Sequence, residues 1–235
     1  EDAAAFADSW QVWAAQFGTL RLGYTGGVGH PWAGYDAAPV PLRVDLNVWR
    51  ASDAPEMLAW PNAPTSVEAM VLYDATDGQI AAQAARLVGR SLAPVNMRQT
   101  FDAVCGDFWY YALRTYARLQ RRQLWAARYD FNAIIVGNLL ALLRLEAGAV
   151  ERWQAASAGA GIEQAIAPAR LERLNECVAA PGEASLLSAF RSALALGRDV
   201  CAAIAARHGW PWPSELAERV ERLFAEYAGS TPSPP

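Results

Sequence analysis

The sequence predicts an α+β protein, a small sheet-bearing part followed by a bundle of helices. Two observations carry that prediction. Apolar side chains alternate at every second position from Val40 to Trp49, the period of a strand. From about Asn96 the period turns helical and stays so to Tyr227. Over 235 residues, 53% apolar and 19% charged is a globular balance, and the length suffices for one large or two small domains.

Phe6, Trp10, Trp13 and Phe17 recur four, three and four apart, so they share one helix face, and Gly18 ends it. Leu20, Leu22 and Tyr24 alternate with polar or small residues as a strand does. Thr25 to Pro31, with three glycines and a proline, reads as a turn; it lacks the strand and helix context of a phosphate loop. Val40 to Trp49 is the clearest strand, with Val40, Leu42, Val44, Leu46 and Val48 on one face and Arg43, Asp45 and Asn47 on the other. Val67 to Tyr73 is an apolar run of strand length, expected to be buried on both faces. Gly78 to Val88 reads as a helix leading to a linker that ends near Pro94.

The helical half is read as stripes. Phe101, Val104, Cys105, Phe108, Ala112 and Leu119 make the first; Leu124, Phe131, Ile135, Asn138, Leu142 and Leu145 make the second, stopped by Gly148. A short helix over Pro168 to Val178, a long one from Leu186 to His208 and a last one from Leu216 to Tyr227 follow. The expected domains are residues 1–94, an incomplete α/β part, and 95–228, the bundle, with 229–235 as a disordered tail. Trp10, Trp13, Trp49 and Trp60 are expected in the core.

The net charge is −4, and every positive side chain is an arginine. Without a basic block the chain is not built to grip nucleic acid, and a cationic or neutral small partner suits it better. Cys105, Cys177 and Cys201 are too few and too scattered for zinc and read as buried free thiols. No secretory segment and no run of eighteen apolar residues is present, so a cytoplasmic, non-membrane protein is expected.

The central site candidate is the polar face carrying Arg43, Asp45 and Asn47. A carboxylate between two hydrogen-bonding groups can ligate a metal or position a phosphate. The plainer reading is a strand with one wet face. Pro41-Leu42-Arg43-Val44-Asp45-Leu46-Asn47-Val48-Trp49 resembles the third-carboxylate strand of antibiotic-type nucleotidyltransferases. Cys105-Gly106-Asp107-Phe108-Trp109-Tyr110, then Arg121 to Arg128, resembles the start of that family's helical substrate domain. The aminoglycoside 6-adenylyltransferases and lincosamide nucleotidyltransferases are the relatives in view, and the likeness runs from about residue 20 to about residue 150.

The resemblance implies a partial nucleotidyltransferase-type mixed sheet followed by an α-helical bundle. It implies ATP with Mg²⁺ as cofactor on the α/β part, with Asp45 as metal ligand or base and Arg43 and Asn47 near the nucleotide. It implies attack of a substrate hydroxyl on the α-phosphate. The family's upstream Gly-Ser turn and paired Asp-x-Asp do not occur before Asp45, so this chain is expected to be an inactive fragment or a degenerate homologue.

On the helical side, Trp125, Arg128, Tyr129 and Asn132 share one helix face by spacing, fit either to stack on a sugar-like substrate or to make an ordinary bundle surface. Asp107 could meet a cationic amine or be a plain exposed acid. Asn138 and His208 read as structural. The expected activity is transfer of AMP from ATP to a small hydroxylated molecule, cationic and aminoglycoside-like. The rivals are a non-catalytic small-molecule binder and a protein-interaction module, and an open sheet edge leaves room for a homodimer.

Overall fold

The structure is a computed structural model and describes residues 2–25, 30–154 and 157–230. The chain divides into two compact units, Glu1–Arg90 and Ser91–Pro235.

The first unit opens on helix α1 (Asp2–Ala14), which tightens into a 3-10 turn at Ala15–Phe17. Strands β1 (Leu20–Thr25), β2 (Pro31–Tyr35) and β3 (Leu42–Asp45) follow and pair in that order as an antiparallel sheet. The described strands are thus all antiparallel where the resemblance implied a mixed sheet. One sheet face packs on α1. Trp10, Ala14, Ala33 and Tyr35 form the buried cluster there, and the Tyr35 hydroxyl donates to the Ala14 carbonyl at 3.0 Å. Gly23 lets the helix come close, because a Cβ there would lie 3.1 Å from Leu20 Cδ2 and 3.4 Å from Trp10 Cη2.

A register shift between Leu20 and Leu22 reassigns the faces of β1. Leu20 pairs with Tyr35, whereas Leu22 pairs with Gly34 and Tyr24 with Trp32. Simple alternation would keep Leu20, Leu22 and Tyr24 together. The bulge instead sends Leu20 to the α1 side and turns Leu22 and Tyr24 to the other face.

The strand expected over Val67–Tyr73 does not form. The Val67 carbonyl accepts from the amides of Met70 and Val71, and Ser66 Oγ accepts from the Ala69 amide at 3.2 Å. These local bonds coil the backbone into a turn and leave Leu72 96% and Tyr73 85% exposed. Asp74 then takes over the entry to helix α2 (Gln79–Ala85), its carboxylate accepting from the amides of Thr76 at 2.8 Å and Ala81 at 2.9 Å. The Thr76 hydroxyl first, and these amides second, hold the Asp74 carboxyl below its ordinary range. Of the four tryptophans expected in the core, Trp10 is buried, but Trp13 and Trp49 are 40% and 39% exposed. Trp49 packs edge-on against a half-buried Trp60 instead.

The second unit is the bundle. Helix α3 (Met97–Gln120) starts where Asn96 caps the Gln99 amide at 3.0 Å. Helix α4 (Leu124–Asp130) passes through a π-helical turn at Phe131–Ile135 into α5 (Val136–Ala147), which Gly148 closes at φ 73°. Short helices α6 (Ile162–Ala165) and α7 (Pro168–Asn175) lead to α8 (Glu183–His208) and α9 (Ser214–Ser230). Residues 231–235 of the expected tail lie outside the described residues, as does the turn at 26–29.

The apolar stripes meet as the periodicity requires. Phe108, Trp109, Phe131, Phe190 and Phe224 are all at most 1% exposed. Phe190 stacks on Phe224 at 4.4 Å. Gly197 on α8 makes room for a side chain of α3: a Cβ there would sit 2.4 Å from the Phe108 ring. The stretch Leu124–Ala147 is long and apolar enough by composition to cross a membrane; here its Leu139, Leu142 and Leu143 fill the bundle core. The three cysteines are free and buried, as expected. His208 stacks on Trp210 at 4.3 Å.

Candidate functional site

Each unit carries its own set of candidate residues. In the first, β3 ends on Asp45, its fourth residue, rather than running to Trp49. Trp32 pairs with Asp45, Ala33 with Val44 and Gly34 with Arg43. Cross-strand partners share a face. Arg43 and Asp45 therefore stand with Trp32 and Gly34 on the face turned away from α1, while Val44 and Ala33 face it. Continuing across β2 to β1 gives two rows on that open face: Tyr24, Trp32 and Asp45 in one, Leu22, Gly34 and Arg43 in the other. Asn47 lies past the ladder, where strand alternation no longer sets its direction.

Arg43 Nη2 lies 3.5 Å from Asp45 Oδ2, with the two side chains 83% and 46% exposed. A pair so open to water holds its partners by at most about 1 kcal/mol. Either group can turn to an incoming charge at little cost. Among the described residues no three His, Cys, Asp or Glu side chains converge on a metal-sized site. Asp45 therefore brings one hard oxygen donor. That fits a Mg²⁺ arriving with a nucleotide, which commonly takes one or two carboxylates and completes its shell with phosphates and water.

In the bundle, Asp107 is exposed on α3, one turn before Tyr111 and Tyr110. Tyr110 is 62% exposed and meets Tyr111 edge-on. The Arg114 guanidinium lies 5.3 Å from the Tyr111 ring centre. On α4, Trp125 and Tyr129 are 84% and 67% exposed, so neither is a core residue. Asn132 is also exposed, on the π-helical turn. Arg128, read with them as one face, is committed elsewhere: its guanidinium donates to the carbonyls of Ala179, Ala180 and Gly182 at 3.3, 2.9 and 3.0 Å.

Two features escaped the sequence reading. Asp130, buried at the end of α4, lies with Oδ2 3.3 Å from Arg114 Nε and 2.9 Å from Arg118 Nε, without well-aligned hydrogen bonds at either oxygen. Arg114, Arg118 and Asp130 are ordinary helix residues by pattern, and only the packing of α3 on α4 joins them. Strand β2 was also unread, and with it Trp32. Its signal was there: after Pro31, Ala33 and Tyr35 alternate with Trp32 and Gly34.

The sequence profile described as streptomycin adenylyltransferase matches residues 42–227, from the first residue of β3 to near the end of the last helix. No curated protein matches the chain. Among solved structures, an aminoglycoside 6-adenyltransferase from Bacillus subtilis is similar with a TM-score of 0.51, at 15% identity, over 98% of this chain and 86% of that one. At that identity the likeness is one of fold.

Proposed function

The chain belongs to the streptomycin adenylyltransferase family, and on that premise we propose that it transfers AMP from ATP to a hydroxyl of a small, cationic, aminoglycoside-like molecule. The observation that carries this reading is the placement of Asp45, an accessible carboxylate on the open face of the strand where the family match begins. The substrate oxygen forms a bond to the α-phosphorus, the bond from that phosphorus to the β-bridging oxygen breaks, and pyrophosphate leaves. The hydroxyl proton passes to Asp45 or to solvent. A Mg²⁺ arriving with the nucleotide would supply positive charge against the triphosphate.

Asp45 either takes the proton or is one ligand of that ion. Arg43, free to swing from Asp45, approaches a phosphate oxygen, and Asn47 can donate to the nucleotide. On the bundle, Asp107, Trp125, Tyr129 and Asn132 supply a carboxylate, two exposed rings and an amide for a hydroxylated cation. The residue boundaries proposed for these roles are 1–94 for the nucleotide part and 95–228 for the substrate part. A cytoplasmic setting, without membrane or nucleic acid, belongs to the same proposal, and so does self-association through an open sheet edge.

One second reading is a homologue that binds the small molecule without transferring AMP, which the exposed Trp125 and Tyr129 rings of the bundle favour because they serve binding alone. Pyrophosphate release from Mg-ATP by the complete gene product, with streptomycin and a lincosamide as acceptors, separates the two. Release dependent on acceptor supports transfer. Tight acceptor binding by calorimetry with no release supports the binder.

A further inference from the structure

We propose that Trp32 and Tyr24 form a platform on the open sheet face that binds the acceptor molecule beside Asp45. The inference rests on the reading of Asp45 given above and names residues on the acceptor side of that site.

Four observations converge. Trp32 is the direct cross-strand partner of Asp45, so their side chains are neighbours on one face. Tyr24 is in turn the partner of Trp32, and their rings meet edge-on with centres 5.3 Å apart at 87°. This contact holds the indole without stacking over it. The bulge at Leu20/Leu22 is what turns Tyr24 to this side. Last, neither ring belongs to the cluster on the α1 side, and Tyr24 is 41% exposed.

The face also has a low point. Gly34 follows Trp32 two residues along β2 and lies between Leu22 and Arg43. It presents no side chain on this face, and a Cβ there would sit 3.3 Å from Leu22 Cβ. A ring that settles over Gly34 lies in the row of Leu22 and Arg43, two residues along β2 from Trp32 and diagonal to Asp45.

The chemistry selects the occupant. Arg43 and Asp45 cancel in charge, so net charge draws neither anion nor cation to this face. An indole and a phenol ring attract ammonium and guanidinium groups through their negative faces and accept the C–H face of a saturated ring. The occupant is thus a cationic, polyhydroxylated ring, with a hydroxyl brought next to the Asp45 carboxylate. Trp32 and Tyr24 are binding residues and take no part in the proton transfer.

The test uses the complete gene product, with dissociation constants for streptomycin and for ATP measured separately by calorimetry. It compares the parent with Trp32→Ala, Trp32→Phe, Tyr24→Ala and Asp45→Asn, and measures pyrophosphate release in parallel. Trp32→Ala is expected to weaken streptomycin about tenfold or more, Tyr24→Ala less, and Trp32→Phe to restore most of the affinity, with ATP binding changed by less than about twofold. Circular dichroism and the intact ATP affinity show that the Trp32→Ala fold is preserved. Unchanged streptomycin affinity in Trp32→Ala, with release still lost in Asp45→Asn, overturns the platform and leaves the transfer reading standing. Weakening of ATP instead of streptomycin overturns it too, by assigning the rings to the nucleotide. Platform-dependent binding with release insensitive to Asp45→Asn supports the platform and removes the Asp45 role. Failure of the parent to bind streptomycin overturns both.

Discussion

The two units bury their apolar side chains to very different extents. The bundle closes over large rings: Phe108, Trp109, Phe131 and Phe190 lose essentially all their accessible surface. The sheet unit closes over a cluster with two alanines among its four members, and it leaves Leu22 56%, Tyr24 41% and Trp49 39% exposed. Burying a large side chain stabilises by roughly 1.5–3 kcal/mol, so the bundle gathers most of the hydrophobic stabilisation. The sheet unit keeps its apolar and charged groups where a ligand can reach them. The comparison teaches that rigidity and accessible chemistry are separated along this chain.

If that division holds, the largest stability losses come from the bundle. Phe108→Ala is expected to cost about 4 kcal/mol, the range for emptying a buried aromatic site. Gly197→Ala is expected to cost about 2–3 kcal/mol, because its Cβ would meet the Phe108 ring at 2.4 Å and the ring must leave its place. Urea denaturation of the folded parent and variants measures both. A loss below about 1 kcal/mol for each would mean that α3 and α8 are packed less tightly than described.

Next in size is the buried carboxylate. Asp130→Ala strands Arg114 and Arg118 beside an apolar core, but these side chains are 42% and 21% exposed and can rehydrate. The expected cost is about 2–3 kcal/mol, below the loss seen when a fully buried partner is left behind. A neutral result would show that the pair merely offsets its own desolvation.

A smaller effect is sensitive to pH. The Tyr227 hydroxyl donates to Glu183 Oε1 at 2.7 Å, and burial first, Glu183 second, push its pKa up from 10.0 to about 12. Burial likewise raises the Cys177 thiol from 9.0 to about 12. Between the unfolded and folded values the folded chain holds more protons, so stability falls as pH rises. The contribution of Tyr227 is complete below pH 10 and lost toward pH 12. Tyr227→Phe should cost about 1 kcal/mol at neutral pH and remove its share of the alkaline slope, leaving that of Cys177. Denaturation midpoints across this range check the sign; a slope unchanged in Tyr227→Phe contradicts it.

The smallest effect belongs to the sheet surface. Arg21 bonds Asp36 at 2.7 Å, but the side chains are 67% and 57% exposed. Arg21→Ala should cost less than about 1 kcal/mol and less still in high salt. A larger, salt-independent loss would show that the sheet unit leans on its surface charges.

The same contrast explains what could be read from sequence. The bundle was legible because long helices repeat one pattern many times, from Phe101 through Leu119 and again from Leu186 to His208. The π-helical turn at Phe131–Ile135 lies inside a stripe that reads as one helix, since a single extra residue per turn does not break the apolar run. In the sheet unit, helices α1 and α2 were legible from their spacing, and strands only where alternation was strict. Leu42 to Asp45 formed as a strand inside a longer alternating run, whereas the alternation of β2 is confined to five residues that include a proline and a glycine and is a weaker signal. Val67 to Tyr73 misled for the opposite reason: the run is apolar enough for a strand, yet Ser66 and the Val67 carbonyl capture its amides first. Asp45 could be singled out from its strand. Its neighbours Trp32 and Tyr24 could not, because cross-strand register and a bulge are set by pairing and leave little trace in local pattern.

Central to the account is Asp45, and the most direct test measures transfer of labelled AMP from α-labelled ATP to streptomycin, with Mg²⁺, by the complete gene product and its Asp45→Asn variant. The account predicts acceptor-dependent transfer that falls by about 10²–10⁴-fold in Asp45→Asn. ATP binding and folding should be retained. Transfer that persists unchanged in the variant would contradict the role given to this carboxylate.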